Sequence, residues 1–66
     1  MIEFRCYFLN DRDRIAAVEM IDAVTVAAAI ENADAKLRDR PGFWSVELWQ
    51  RDRMVYRPKK FRATPV

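Results

Sequence analysis

Two stretches decide the fold predicted from this sequence: FLNDRDRIAAVE at residues 8–19 and VELWQRDRMVYR at residues 46–57. In each stretch an Arg-Asp-Arg tripeptide lies between two apolar runs. Short charged segments between such runs are typical of hairpin turns, because the turn stays in water while the flanking strands pack. The sequence therefore predicts two β-hairpins, one near each end of the chain.

The first hairpin is predicted to join strands over residues 2–9 and 15–21. We expect Leu9 to pair with Ile15 and Phe4 with Met20, because this register brings large apolar side chains together. The alternation then directs one set of side chains towards the core: Ile2, Phe4, Cys6, Phe8, Ala16, Val18 and Met20. The opposite set faces outwards: Glu3, Arg5, Tyr7, Leu9, Ile15, Ala17 and Glu19.

The segment between the hairpins is predicted to form one helix over residues 24–40. Its apolar residues recur at the spacing of a single helix face: Val26, Ala29, Ile30, Ala33 and Leu37. Thr25 or Asp22 is expected to cap its start, and Pro41-Gly42 to end it.

The second hairpin is predicted to begin with a strand over residues 43–49, in which Trp44, Val46 and Leu48 face inwards. Pairing of Trp49 with Met54 leaves Arg51-Asp52 as a two-residue turn. The helix is about as long as the strands, so it should carry the chain along the whole sheet. We therefore expect the two Arg-Asp-Arg turns at opposite ends of the sheet.

The predicted fold class is α+β, with a four-stranded, mainly antiparallel sheet and one helix packed on one face. Residues 1–57 form this single ββαββ domain, and residues 58–66 form a basic C-terminal tail. The strand order 2-1-3-4 is preferred. The alternative places strand three beside strand two in parallel.

The composition limits how such a domain is stabilised. The chain has 66 residues, and a domain of that size buries only about 60% of the surface of its unfolded chain. One cysteine and no histidine exclude an internal disulfide and a Cys/His zinc site. No apolar run approaches the roughly 20 residues that span a bilayer, and the start does not resemble a signal peptide. We expect a cytoplasmic protein with no membrane partner.

The sequence contains no recognisable catalytic pattern, so we expect a protein that is not an enzyme, with no catalytic residue, metal or cofactor. Cys6 is predicted inside the core, and no histidine exists to activate its thiol. No glycine-rich phosphate loop is present, because Gly42 is the only glycine.

The outward sheet face is the first candidate site, because its predicted side chains are unusually apolar for an exposed surface. We predict an interface formed by Tyr7, Leu9, Ile15, Trp49, Met54 and Tyr56. The partner is expected to be a second copy in a homodimer, or another protein. In the alternative arrangement, the tail folds back through Phe61 and Val66 and covers this face.

The basic tail is the second candidate site, ranked below the interface. Lys59, Lys60 and Arg62 stand beside Phe61, and cations interleaved with an aromatic ring can bind a nucleic-acid backbone and stack a base. This reading makes the chain a small nucleic-acid-binding accessory protein.

Beyond these sites, the chain resembles a group of short uncharacterised proteins. The residues that carry the likeness are Tyr7-Phe8, the Ala-rich central segment and Val46-Glu47-Leu48-Trp49-Gln50 followed by a polar turn. They are similar to alphaproteobacterial proteins with a Tyr-x-Phe start and a V-E-L-W strand. The resemblance covers roughly residues 3–57 and implies a bacterial origin, but it implies no activity.

Overall fold

A computed structural model describes residues 1–58, which form two hairpins and one helix. The elements are β1 (Ile2–Leu9), β2 (Ile15–Ala23), α1 (Val26–Arg38), β3 (Ser45–Gln50) and β4 (Arg53–Tyr56). The four strands form one sheet in the order β2-β1-β3-β4, with every neighbouring pair antiparallel. The predicted α+β class, the ββαββ sequence of elements and the preferred strand order are confirmed.

Helix α1 is shorter than predicted by two residues at each end. The Thr25 hydroxyl caps its start by accepting a 3.0 Å hydrogen bond from the backbone N–H of Ala28. The predicted stripe does face the sheet, with Ala29 and Ala33 fully buried at its centre. Because both of these side chains are small, the helix lies close to the strands beneath it.

The core lies between the helix and one face of the sheet. Its fully buried sheet residues include Phe4, Cys6 and Phe8 of β1 together with Val46 and Leu48 of β3. These five lie on the central strands, since β1 and β3 each have a neighbour on both sides. Ile21 and Ala23 extend the core along β2.

A β-bulge in the first hairpin overturns part of the predicted register. Leu9 pairs with Ile15 as expected, but Ala16 is an extra residue, so Phe8 pairs with Ala17 and Phe4 with Ile21. Side chains on β2 therefore exchange faces. The predicted inward placement of Val18 and Met20 is wrong, since both face outwards and are about half exposed.

Two sets of contacts along β2 explain why its side chains take the faces opposite to those predicted. The observed register directs Ile21 and Ala23 into the core, where the predicted one would have directed Asp22. It also brings Glu19 to the helix side, where its carboxylate pairs with Arg40 and lies 3.4 Å from the Lys36 ammonium. Ala17 likewise faces the helix, not the outer face.

A second bulge, in the β3–β4 hairpin, moves Tyr56. Trp49 pairs with Met54 as predicted, but Val55 is an extra residue, so Leu48 pairs with Tyr56. The predicted outward placement of Tyr56 is therefore wrong. Its hydroxyl donates to the Asp34 carboxylate on α1, with both oxygens at 3.1 Å, and this bond fastens β4 to the helix.

The approach to β3 also differs from the prediction. Trp44 precedes the strand and is 48% exposed, so its inward placement is wrong. Phe43 packs instead, with its ring stacked on Phe8 at a centroid distance of 5.3 Å. The Arg40 guanidinium lies 5.0 Å from the centroid of the same Phe8 ring. The backbone N–H of Trp44 donates to the Leu9 carbonyl at 2.8 Å, which holds this connection against β1.

The two charged turns form as predicted and lie at opposite ends of the sheet. Gln50 pairs with Arg53, which leaves Arg51-Asp52 as a two-residue turn. In the longer first loop, the Asn10 side chain accepts hydrogen bonds from the backbone N–H groups of Arg12 and Arg14. Since β1 and β3 are antiparallel, the first turn follows the Leu9 end and the second the Arg5 end.

Candidate interface on the open sheet face

The sheet surface opposite the helix is the candidate site, and we call it the outer face. Side chains along each strand alternate, so this face receives every second residue. It comprises Glu3, Arg5, Tyr7, Ile15, Val18, Met20, Asp22, Glu47, Trp49 and Met54. No described element of the chain packs over it, because the single helix lies on the other side.

Aliphatic and thioether side chains are exposed along both margins of the outer face. Ile15, Val18 and Met20 follow one another down β2 and are each more than half exposed. Met54 on β4 is 42% exposed. Contiguous apolar surface of this kind is uncommon on a monomeric protein, and it marks an interaction site more often than scattered apolar residues do.

An ordered row of three side chains lies between these margins. The rings of Tyr7 and Trp49 meet edge to face at 6.4 Å with an interplanar angle of 89°. The Arg5 guanidinium lies 5.9 Å from the Tyr7 ring centroid and donates to the Tyr7 hydroxyl at 3.1 Å. It also donates to the backbone carbonyl of Arg51 at 2.7 Å. These contacts hold Arg5, Tyr7 and Trp49 in fixed positions, which lowers the entropy that a partner must remove on binding.

Glu47 fixes the other side of the Trp49 ring. Its carboxylate accepts a 3.2 Å hydrogen bond from the indole Nε1–H and lies 3.8 Å from the Arg57 Nε. The Glu47 side chain is only 18% exposed, so the carboxylate sits in a partly dry setting with two partners. Charges of both signs are thus placed among the aromatic rings.

Two shallow depressions flank Arg5 and Arg51. The larger, of about 440 Å³, is bounded by Met1, Glu3, Met20 and Gln50. The smaller, of about 340 Å³, is bounded by Tyr7, Ile15, Glu47 and Trp49. The smaller depression opens on the outer face and can receive a partner side chain. Ile2 and Phe4 also line the larger one, which therefore lies at the end of the sheet.

Four of the six predicted interface residues meet on the outer face: Tyr7, Ile15, Trp49 and Met54. Leu9 is only 4% exposed, so it offers almost no surface to a partner. Tyr56 lies on the helix side, as described above. Lys59, Lys60 and Arg62, predicted to contact nucleic acid, and the anchors Phe61 and Val66 lie outside the described residues.

Sequence reasoning missed Val18 and Met20, and it did not include Arg5 among the interface residues. The alternation of β2 does place Val18 and Met20 on one common face, but it does not identify which face. A signal was present in Asp22, which would have pointed into the core under the predicted register.

The titratable groups offer little chemistry. Burial, followed by the negative charge of Glu19, raises the pKa of the fully buried Cys6 thiol to about 11. A thiol with that pKa stays protonated at neutral pH and is a poor nucleophile. Within residues 1–58, no three cysteine or acidic side chains are placed to hold a metal ion.

Two other groups have shifted pKa values because of contacts that hold the helix to the sheet. The hydrogen bond from Arg40, with help from Lys36, lowers the pKa of Glu19. Burial, together with the Asp34 carboxylate, raises the pKa of Tyr56. Both shifts therefore reflect contacts that join the sheet to the helix and to the loop after it.

Comparisons with known proteins assign no function to the candidate site. No protein-family model, curated protein or solved structure matches this chain. The resemblance to alphaproteobacterial proteins stays a prediction, and its first element is matched loosely because Tyr7 and Phe8 are adjacent here. In the part of the chain that the structure describes, no helix is long and apolar enough to cross a membrane.

Proposed function

We propose that this chain is a small non-enzymatic protein that acts by protein–protein association, as a homodimer through its outer face. The observation that carries the proposal is the apolar surface of Ile15, Val18, Met20 and Met54 around the ordered row of Arg5, Tyr7 and Trp49. Tryptophan, tyrosine and arginine are the residues that most often dominate binding energy at interfaces.

The binding free energy expected for this dimer is small. Burying the exposed half of four aliphatic or methionine side chains gains about 1 kcal/mol for each one. A homodimer buries these four side chains on both copies, so the total of about 8 kcal/mol lies within the range of about 4–15 kcal/mol estimated for the freedom lost on association. The surplus must therefore come from Arg5, Tyr7 and Trp49, and the dimer should dissociate on dilution.

The sheet edges are less suited to self-association than the outer face. β2 is a long edge strand, but its bulge at Ala16 and the helix-side charge of Glu19 are devices that discourage edge pairing. β4 has only four residues and is followed by Pro58, which donates no backbone hydrogen bond. Both edges thus resist the addition of a further strand, and this favours the face.

A second copy is the favoured occupant because the charges of the outer face are self-complementary. Glu3 and Glu47 lie on the same surface as Arg5 and Arg51. In a two-fold dimer each surface meets its own copy, so a patch with both signs can pair with itself. A surface of one sign would instead have favoured a partner of opposite charge.

The test is the solution mass of the full chain over a concentration series, measured by light scattering or sedimentation equilibrium. We expect the mass to rise towards that of a dimer at high concentration. Met20→Glu should shift the dissociation constant at least tenfold, because it places a carboxylate in the apolar margin. Val24→Glu is the matched control, since Val24 is 67% exposed and lies outside the sheet. A wild-type chain that stays monomeric throughout would refute the proposal.

The distribution of charge favours nucleic-acid binding as a second candidate function. Residues 1–58 contain nine of the twelve basic residues and all ten acidic ones, so their formal charge is −1. Lys59, Lys60 and Arg62 alone therefore turn the net charge to +2. We expect such binding to weaken steeply with salt and to be lost when these three cations are replaced by alanine. Absence of binding to single-stranded RNA or DNA at low salt would eliminate this candidate.

A further inference from the structure

The outer face is organised in rows that run across the strands, and these rows restrict how two copies can meet. One row contains Met20, Arg5, Trp49 and Met54, from β2 through β1 and β3 to β4. The next contains Val18, Tyr7 and Glu47. Rows at the two ends differ in character: Asp22 and Glu3 lie at one end, and Ile15 and Leu9 at the other.

Two sheets that pack face to face with aligned strands can be related by a two-fold axis in either of two directions. An axis across the strands turns each sheet end over end, so each strand lies over its own copy. An axis along the strands exchanges the sides of the sheet instead. In that case β2 lies over the partner's β4, and β1 lies over the partner's β3.

The axis across the strands creates a conflict at the ends. It places Asp22 over the partner's exposed Ile15, and Glu3 over the end of β1 where Leu9 is buried. Both carboxylates would then lose water without gaining a cation, which is unfavourable. The same conflict occurs twice in the dimer because the contact is isologous.

A two-fold axis along the strands places opposite charges against each other and apolar side chains against apolar side chains. Each row lies over the same row of the partner, so Met20 meets the partner's Met54 and Arg5 meets the partner's Trp49. Cations bind favourably over tryptophan rings. Glu3 lies two residues before Arg5, and Arg51 lies two residues after Trp49. Because β1 and β3 are antiparallel, Glu3 therefore reaches the level of the partner's Arg51.

We propose that two copies of this chain associate outer face to outer face about a two-fold axis parallel to the strands, with Met20 of each copy against Met54 of the other. This arrangement rests on the homodimer proposed above and adds its geometry. Arg5 and Trp49 lie at the centre and contact each other reciprocally. Glu3 and Arg51 form the charged rim at one end.

Cysteine cross-linking of the full chain tests this geometry directly. Met20→Cys and Met54→Cys are prepared as single variants, and a mixture of the two is oxidised with diamide, which takes two electrons and two protons from a thiol pair. Both positions are exposed in the monomer, and the native Cys6 is fully buried and does not compete. Each chain carries only one of the two engineered cysteines, so a disulfide between positions 20 and 54 can form only between two chains.

We expect the mixture to form the M20C–M54C covalent dimer at least tenfold faster than either single variant forms its own. Val24→Cys measures how fast two exposed cysteines cross-link by random collision, because Val24 is exposed but lies off the outer face. Rapid cross-linking of the M20C variant with itself would require β2 over β2, and it would overturn the proposed axis. A mixed rate no faster than that of the V24C variant would overturn it as well.

The mass of the unoxidised variants separates failure of the geometry from failure of the dimer. Samples that are dimeric by light scattering but cross-link in the wrong pattern contradict only the axis. Samples that are monomeric at every concentration, together with the wild-type chain, contradict the homodimer itself. The proposed arrangement is supported only by dimeric samples that form the mixed disulfide.

Discussion

The carboxylate of Glu19 joins the edge strand β2 to the helix side of the domain through two ion pairs. It lies on the helix side of β2, where Arg40 and Lys36 approach its carboxylate from the C-terminal part of the helix and the loop that follows. Asp34 is a further charged group in this region, and it is engaged by Tyr56. Glu19 therefore connects the edge strand to the helix through charge as well as through its neighbours Ala17 and Ile21.

The lowered pKa of Glu19 predicts how stability depends on pH. A carboxyl group with a folded-state pKa below its ordinary value of 4.5 stabilises the fold when it is ionised. That contribution is present above pH 4.5 and is lost as the pH falls through the folded-state pKa. Glu19→Gln should therefore lower the urea midpoint at pH 7, and this effect should shrink as the pH falls below 4.5 towards the folded-state pKa.

Urea unfolding of the two proteins between pH 3 and pH 7 measures this difference. Asp11→Asn is a suitable control, because Asp11 is an exposed loop residue at the tip of the first hairpin. A Glu19→Gln effect of equal size at both ends of the pH range would show that the ion pairs do not cause it.

The turns are the elements in which the sequence departs most from the usual residue preferences. Arg51 has a φ of 58° and Asp13 a φ of 60°, and both are therefore in the left-handed region. Aspartate is among the residues that tolerate this region, whereas arginine has no side-chain group that compensates for it. The strain is thus concentrated in the two-residue turn of the second hairpin.

Arg51→Gly should raise the free energy of unfolding by about 0.5–1 kcal/mol. Glycine removes the clash at positive φ, although its larger entropy in the unfolded chain offsets part of the gain. The Arg51 carbonyl, which accepts the bond from Arg5, is kept in the variant. Urea unfolding should be measured at low protein concentration so that association does not contribute.

Asp13→Gly is the matched comparison, and we expect a smaller change. Its loop has five residues, and the Asn10 side chain orders the backbone there by accepting hydrogen bonds from the N–H groups of Arg12 and Arg14. Destabilisation by Arg51→Gly would mean that the arginine side chain stabilises the monomer by more than its backbone strain costs.

At the scale of the whole molecule, one helix covers a sheet that has apolar residues on both faces. The helix side forms a small, tightly packed core that includes Phe4, Phe8 and Leu48. A chain of 66 residues has little reserve of stability from one core, and association is a common way to gain more. The proposed homodimer would bury the second apolar face and so stabilise the fold.

This coupling predicts that thermal stability depends on protein concentration. Dimer formation removes native monomer from the unfolding equilibrium, so the Tm should rise as the concentration increases. We expect the Tm of the wild-type chain to increase by several degrees between 5 µM and 500 µM, as on the order of 1 kcal/mol shifts a domain of this size by about 4–8 °C. Met20→Glu should abolish the increase, whereas Val24→Glu should preserve it. A wild-type Tm that is independent of concentration would argue against the dimer.

The sequence by itself determined the sequence of elements and the helix face. Its alternating runs, the stripe from Val26 to Leu37 and the two Arg-Asp-Arg turns depend on local periodicity, which each segment carries alone. The lack of histidine and of a second cysteine likewise limits the chemistry without any structure. The pairing of Leu9 with Ile15 and of Trp49 with Met54 also followed from residues near each turn.

Only the tertiary structure decided which face several strand residues occupy. Each hairpin contains one extra residue, Ala16 or Val55, and a single extra residue reverses the faces of all the residues beyond it. Each bulge brings a contact with the helix or with the loop after it: Glu19 gains Lys36 and Arg40, and Tyr56 gains Asp34. Those partners are distant along the chain, so the local pattern of a hairpin does not fix its final register, although Asp22 disfavours the predicted register of the first one.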